Sequence, residues 1–199
     1  MPFFNHLDEL SDISDITFND RKRLGPMDKV SHRIMRGKSI FTSADKEIMA
    51  AYVSGLNACS FCYGSHKAVA QQFGVDPDII EKLVDDIDTA PMENKLKPIF
   101  KYLKKLTLSP SKLTQKDVDL VKQAGWSENA LYDAILIGCL FNFYNRLLDG
   151  HGIKGNKAIY QFGGEHLHKN GYEVPWFIGL IKNTIKKSKL KKLNELKKN

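Results

Sequence analysis

The stretch from Ser127 to Asp149 constrains the fold most, because at helical spacing its middle is apolar on nearly every side. Such a helix must lie at the centre of a bundle or in a subunit interface. Its longest apolar run, Ala134 to Phe141, is far shorter than the ~20 residues that cross a bilayer. No membrane span is therefore expected. Helical periodicity prevails elsewhere and two-residue alternation is absent, so the chain reads as all-α. At 199 residues, with 42% apolar and 27% charged side chains, it is long enough for one domain with a sizeable core.

Punctuation residues place the elements. Asp28 to Phe41 reads as a helix with Val30, Ile34 and Met35 inward. Thr42 and Ser43 are N-cap candidates, and Asp45, three residues after Thr42 as in a capping box, marks the start of a helix reaching about Leu56. After the Asn57-Ala58 break, a helix runs from Cys59 to Phe73 and Gly74 closes it. Asp76-Pro77 opens a short helix through Asp86, and another spans Ala90 to Leu108. Thr114 caps one to Ala124, and Ser127 starts the long one. The glycines after Gly150 suggest loops around His151, His166 and His168. Pro175 opens a last helix.

The net charge of +7 comes from the end of the chain, since Lys182 to Asn199 holds eight Lys and one Glu. The remainder, residues 1–181, carries 22 groups of each sign and is the expected helical domain, with a redox core over about 40–125. A neutral body lacks the basic face that tracks phosphates, so nucleic-acid binding is not expected. Met1 to Glu9 shows no secretory leader, which reads as cytoplasmic.

Three cysteines are too few for a disulfide scaffold. Cys139, inside the apolar run, reads as a buried small hydrophobe. Cys59 and Cys62 form a Cys-x-x-Cys pair, and His66 follows four residues later. At ~100° per residue, all three fall within about 60° on one helix face. Cys59 sits at the helix start, where unpaired N–H groups favour a thiolate. Around Glu47, Ala50, Ala51 and Ser54 make a small-residue face with room for a partly buried carboxylate. A carboxylate holding the His66 imidazole would help it take a proton from Cys62. Zinc bound by Glu47, Cys59, Cys62 and His66 is disfavoured, because no second Cys/His pair exists at zinc spacing. No cofactor is called for. Arg146 is expected to pair with a carboxylate, and Gly163-Gly164 lacks the context of a phosphate loop.

Glu47, Cys59, Cys62 and His66, in the pattern Glu-x11-Cys-x-x-Cys-x-x-x-His, resemble the core motif of alkylhydroperoxidase D-like proteins of the carboxymuconolactone decarboxylase superfamily. The segment from Asn142 to Gly150, with Asn145, Arg146 and Asp149, is similar to that of a subgroup of peroxidase-related enzymes. The resemblance spans roughly residues 28 to 165. It implies an all-helical, single-domain homo-oligomer and a thiol peroxidase without metal or flavin. In that scheme Cys62 is oxidised by a hydroperoxide, Cys59 resolves it to a disulfide, and Glu47 with His66 relays protons. A dithiol or protein reductant completes the cycle. Phe61 stands where members of the family often carry a second histidine. Decarboxylase members lack the cysteine pair, which disfavours that activity. A redox-sensing or protein-interaction module, using the same dithiol and the lysine tail, is the alternative.

Overall fold

The computed structural model describes residues 1–173, together with Ile181, Thr184 and Ser188. The lysine tail from Lys182 and the helix expected from Pro175 lie outside the described residues but for those three positions. Among the described residues there are nine α-helices and no strands: α1 (Ile13–Asn19), α2 (Arg21–Arg36), α3 (Ser43–Leu56), α4 (Ser60–Gln72), α5 (Pro77–Asp85), α6 (Lys97–Leu108), α7 (Gln115–Gln123), α8 (Glu128–Gly150) and α9 (Lys157–Asn170). None is long and apolar enough to cross a membrane.

Helix α3 is the hub. It starts at the expected capping box, where Thr42 Oγ1 accepts from the Asp45 N–H at 3.1 Å and Asp45 accepts from the Thr42 N–H at 2.9 Å. Every residue from Lys46 to Ser54 is buried, and α3 packs against α4, α5, α6 and α8. Buried Lys46 donates to the carbonyls of Ile34 and Gly37 at 3.1 and 2.8 Å, neutralising the carbonyl end of α2. Helix α8 contributes Ala134, Ile137 and Phe141 to the main core. Truncating a buried side chain such as Ile137 to Ala would cost about 2–5 kcal/mol.

Several expectations need correction. Helix α2 begins at Arg21 and ends at Arg36, because Asp20 accepts from the Arg23 N–H and caps it early. Its inward face is turned by one residue, burying Ser31 and leaving Val30 exposed. Residues 90–96 form turns, and the helix starts only at Lys97, with Pro98 in its first turn. Helix α1 carried no clear periodic signal. Gly163 and Gly164 lie inside α9, so His166 and His168 are helical. A Cβ at Gly164 would stand 3.1–3.2 Å from Ala68, so glycine there allows α9 to lie close on α4.

Cys139 is exposed rather than buried. The inward face of α8 is taken by Ile137, Gly138, Leu140 and Phe141, which turns Cys139 outward. Exposed Arg146 has no carboxylate partner among the described residues and donates to the Asn142 backbone and side-chain oxygens at 2.9 and 2.8 Å.

Candidate functional site

The two segments carrying the motif meet at a tight reversal. Helix α3 ends at Asn57, and Ala58 takes a positive φ of 54°, the only non-glycine to do so among the described residues. The Cys59 N–H then donates to the Ser54 carbonyl at 3.0 Å. This left-handed closure delivers Cys59 to the N-cap of α4, one position before the first helical residue. Cys59, Cys62 and His66 are all buried, as the shared face expected from their spacing requires. Both α4 cysteines are free thiols.

Glu47 is fully buried and bonded to three side chains. Its Oε2 lies 2.7 Å from His66 Nδ1, and its Oε1 accepts from Arg36 Nη2 and from the Tyr172 hydroxyl, each at 2.7 Å. Burial pushes the carboxyl up, but hydrogen bonding and charge from His66, then the Arg36 charge, outweigh it and hold Glu47 below the usual carboxylate range. An ionised carboxylate only accepts, so Nδ1 carries a proton, and in the neutral form of the ring Nε2 is the acceptor. The His66 ring stands edge-on to Phe141, with centroids 4.3 Å apart. Arg36 is itself held by the Met35 and Leu167 carbonyls at 3.0 and 3.1 Å, with its guanidinium over the rings of Phe73 and Tyr172.

The sulfurs form a second, adjoining group. Hydrogen bonding with Cys62 holds the Cys59 thiol below its ordinary value despite burial, while the same interaction and burial push Cys62 well above it. The pair thus loses its first proton readily and its second reluctantly. Asn145 on α8 donates to Ser54 Oγ at 3.0 Å and accepts from Asn57 Nδ2 at 2.8 Å. That network aims the Asn145 amide at Cys62, where it favours the thiolate. The charge of Asp149, one turn further along α8, opposes ionisation of both thiols.

Cys62 and His66 open into one cavity of about 310 Å³. Its walls are mostly apolar, with Ile13 and Phe18 of α1, Phe141 of α8, and Ile159 and Phe162 of α9 among them. Tyr144, bonded to Ser31 at 2.8 Å, and Asp28 add polar groups. Burial pushes the Asp28 carboxyl up to about 6, against the Arg21 charge. Cys59 does not line the cavity. Among the described residues, no group of three or more His, Cys, Asp or Glu is arranged to hold a metal ion.

The structure therefore brings Glu47 to His66, and Cys59 to Cys62. His66 and Cys62 share the cavity, while the imidazole's hydrogen bond runs to Glu47. Sequence reasoning missed Arg36 and Tyr172 as partners of Glu47. It quoted Asn145 and Asp149 as part of a resembling segment, without a role.

No protein-family model matches the chain, and no curated protein does. Solved structures do. An uncharacterised peroxidase-related protein from Silicibacter sp. TM1040 superposes with a TM-score of 0.67 at 20% identity, over 79% of this chain and 92% of that one. An alkylhydroperoxidase AhpD core, an uncharacterised peroxidase-related protein from Ralstonia eutropha JMP134, gives 0.67 at 16% identity over 81% of each. The single all-helical domain described here thus has the AhpD-like fold of those peroxidase-related proteins.

Proposed function

We propose that this protein is a thiol-dependent peroxidase that reduces organic hydroperoxides through Cys59 and Cys62. The observation that carries the reading is the apolar cavity that ends on Cys62 and His66, with Cys59 behind. Likeness to peroxidase-related proteins supports it at the level of fold. His66 Nε2 takes the Cys62 proton while Glu47 steadies the resulting imidazolium. The thiolate attacks the outer peroxide oxygen, the O–O bond breaks, and the alkoxide leaves as an alcohol with the proton from His66. Cys62 is then a sulfenic acid. The Cys59 sulfur displaces its hydroxyl, closing the disulfide and releasing water. A dithiol or protein reductant restores both thiols by exchange.

We further propose a homo-oligomer. Tyr132, Leu136, Cys139 and Phe143 follow a heptad spacing on the outward side of α8, and Tyr132 and Phe143 are exposed. The test of function is steady-state consumption of cumene hydroperoxide with several dithiol reductants. Wild type should turn over repeatedly and Cys62→Ser should not. A single round of oxidation without turnover would instead favour a redox sensor. Equal consumption by wild type and Cys62→Ser would overturn the reading.

A further inference from the structure

The cavity that ends on Cys62 and His66 must also hold the organic part of a substrate, and one wall carries a charge that the chemistry at sulfur does not use. Helix α2 sets Asp28 and Ser31 three residues apart, on one face turned toward that cavity. Ser31 Oγ lies 2.8 Å from the Tyr144 hydroxyl, so those two groups satisfy one another. Asp28 is less well matched. Its side chain is only 14% exposed, and its buried Oδ2 accepts no hydrogen bond among the described residues. Arg21 Nη1 stands 3.7 Å from that oxygen, beyond hydrogen-bond reach, and the Arg21 guanidinium lies over the Phe18 ring.

The two other carboxylates at the cavity are engaged in the capping box of α1. Asp12 Oδ1 accepts from the Ser14 N–H at 2.9 Å, and Asp15 Oδ2 from the Asp12 N–H at 3.0 Å. Among the described lining residues none is Lys or Arg, and the imidazoles there are His66, bonded to Glu47, and His166, which meets Asn170. The Asp28 carboxyl, pushed up to about 6 by burial, carries its charge at pH 7.5. An anionic group in the cavity would face that charge across apolar walls, where water screens poorly, and would find no cation to replace its lost hydration. An ammonium in the same place would gain a partner.

We propose that Asp28 is a specificity-determining residue: the cavity takes hydroperoxides whose organic part is apolar and uncharged or cationic, and turns away those that bear a carboxylate. The inference rests on the peroxidase reading above. Selection of this kind works by leaving the wrong substrate with an unpaired charge, while the reacting sulfur and its base stay the same for every substrate.

The experiment uses the full chain at pH 7.5 with dithiothreitol as reductant. The substrates are cumene hydroperoxides bearing a para-aminomethyl or a para-carboxylate group, and the corresponding alcohols serve as unreactive probes. Both are ions of similar size, so the ratio between them reads the sign of the field. Wild type should favour the ammonium over the carboxylate by at least about tenfold in kcat/KM, and the alcohols should protect Cys62 from iodoacetamide in the same order. Asp28→Asn should cut the ratio to about threefold or less. Asp28→Glu keeps the charge and should hold the ratio near that of wild type. Asp88→Asn removes a carboxylate outside the cavity and should leave the ratio unchanged. A wild-type ratio near or below one overturns the proposal, and so does a ratio that Asp28→Asn leaves intact. Protection by the alcohols in the expected order, without turnover of either hydroperoxide, upholds the role of Asp28 and overturns the peroxidase reading. Protection by neither alcohol, with neither hydroperoxide turned over, overturns both.

Discussion

Replacing Arg36 with Met isolates the electrostatic design of the site, because Met keeps the apolar stem and removes the charge. Glu47 is 0% exposed and Arg36 12%, so the change leaves a buried carboxylate without its cation. Losing one partner of a buried pair costs about 3–5 kcal/mol. Tyr172 and His66 keep their hydrogen bonds to Glu47, which points to the lower end, about 3 kcal/mol at pH 7. The dependence on pH follows from the direction of the Glu47 shift. Wild-type Glu47 lies below its ordinary 4.5 when folded, so its contribution is complete above that pH and is lost as pH falls through the folded value. Without the Arg36 charge the folded carboxyl lies higher than in wild type, so part of the contribution gained as Glu47 ionises is lost. The gap between wild type and Arg36→Met should therefore widen from pH 4 toward pH 7. Urea denaturation at a series of pH values measures it. In a Glu47→Gln background, the Arg36 change should cost about 1 kcal/mol, giving a coupling of about 2. A cost below about 1 kcal/mol in both backgrounds, or one independent of pH, would refute the reasoning.

Other predictions address the sulfurs and the turn that delivers them. Glu47→Gln and His66→Ala should each slow alkylation of Cys62 by iodoacetamide near neutral pH, and the double mutant should be little slower than the worse single one. Superimposed pH profiles for all four proteins would reduce both residues to bystanders. Because Cys139 is exposed and the pair is buried, one thiol of three should react quickly with a colorimetric disulfide reagent, and Cys139→Ser should abolish that fast phase. Peptide mapping after mild oxidation should find Cys59 joined to Cys62, and Cys139 in the main disulfide would contradict it. Ala58→Gly relieves a left-handed alanine and should raise stability by about 1 kcal/mol in thermal melts. A lower melting temperature would show that the turn holds no strain.

The motif was legible in the sequence because its geometry is local. Four residues from Cys62 to His66 make one helical turn in any fold, and Thr42 with Asp45, Asp76 with Pro77, and Ser127 mark helix starts through bonds to neighbours a few residues away. What Glu47 does was not local. It lies 125 residues from Tyr172, and its cation Arg36 belongs to a helix whose limits the periodicity misplaced. Cys139 was misread for a related reason: an apolar run shows that a helix has little polar surface, but only its neighbours decide which side is covered. Spacing along one helix is fixed by the backbone, so sequence alone determined which groups could share a face. Contacts between helices depend on how packing rotates and slides one against another. Only the tertiary structure could therefore decide that a carboxylate would be buried and ionised beside Arg36, and that α8 would set an amide and an acid against the two sulfurs.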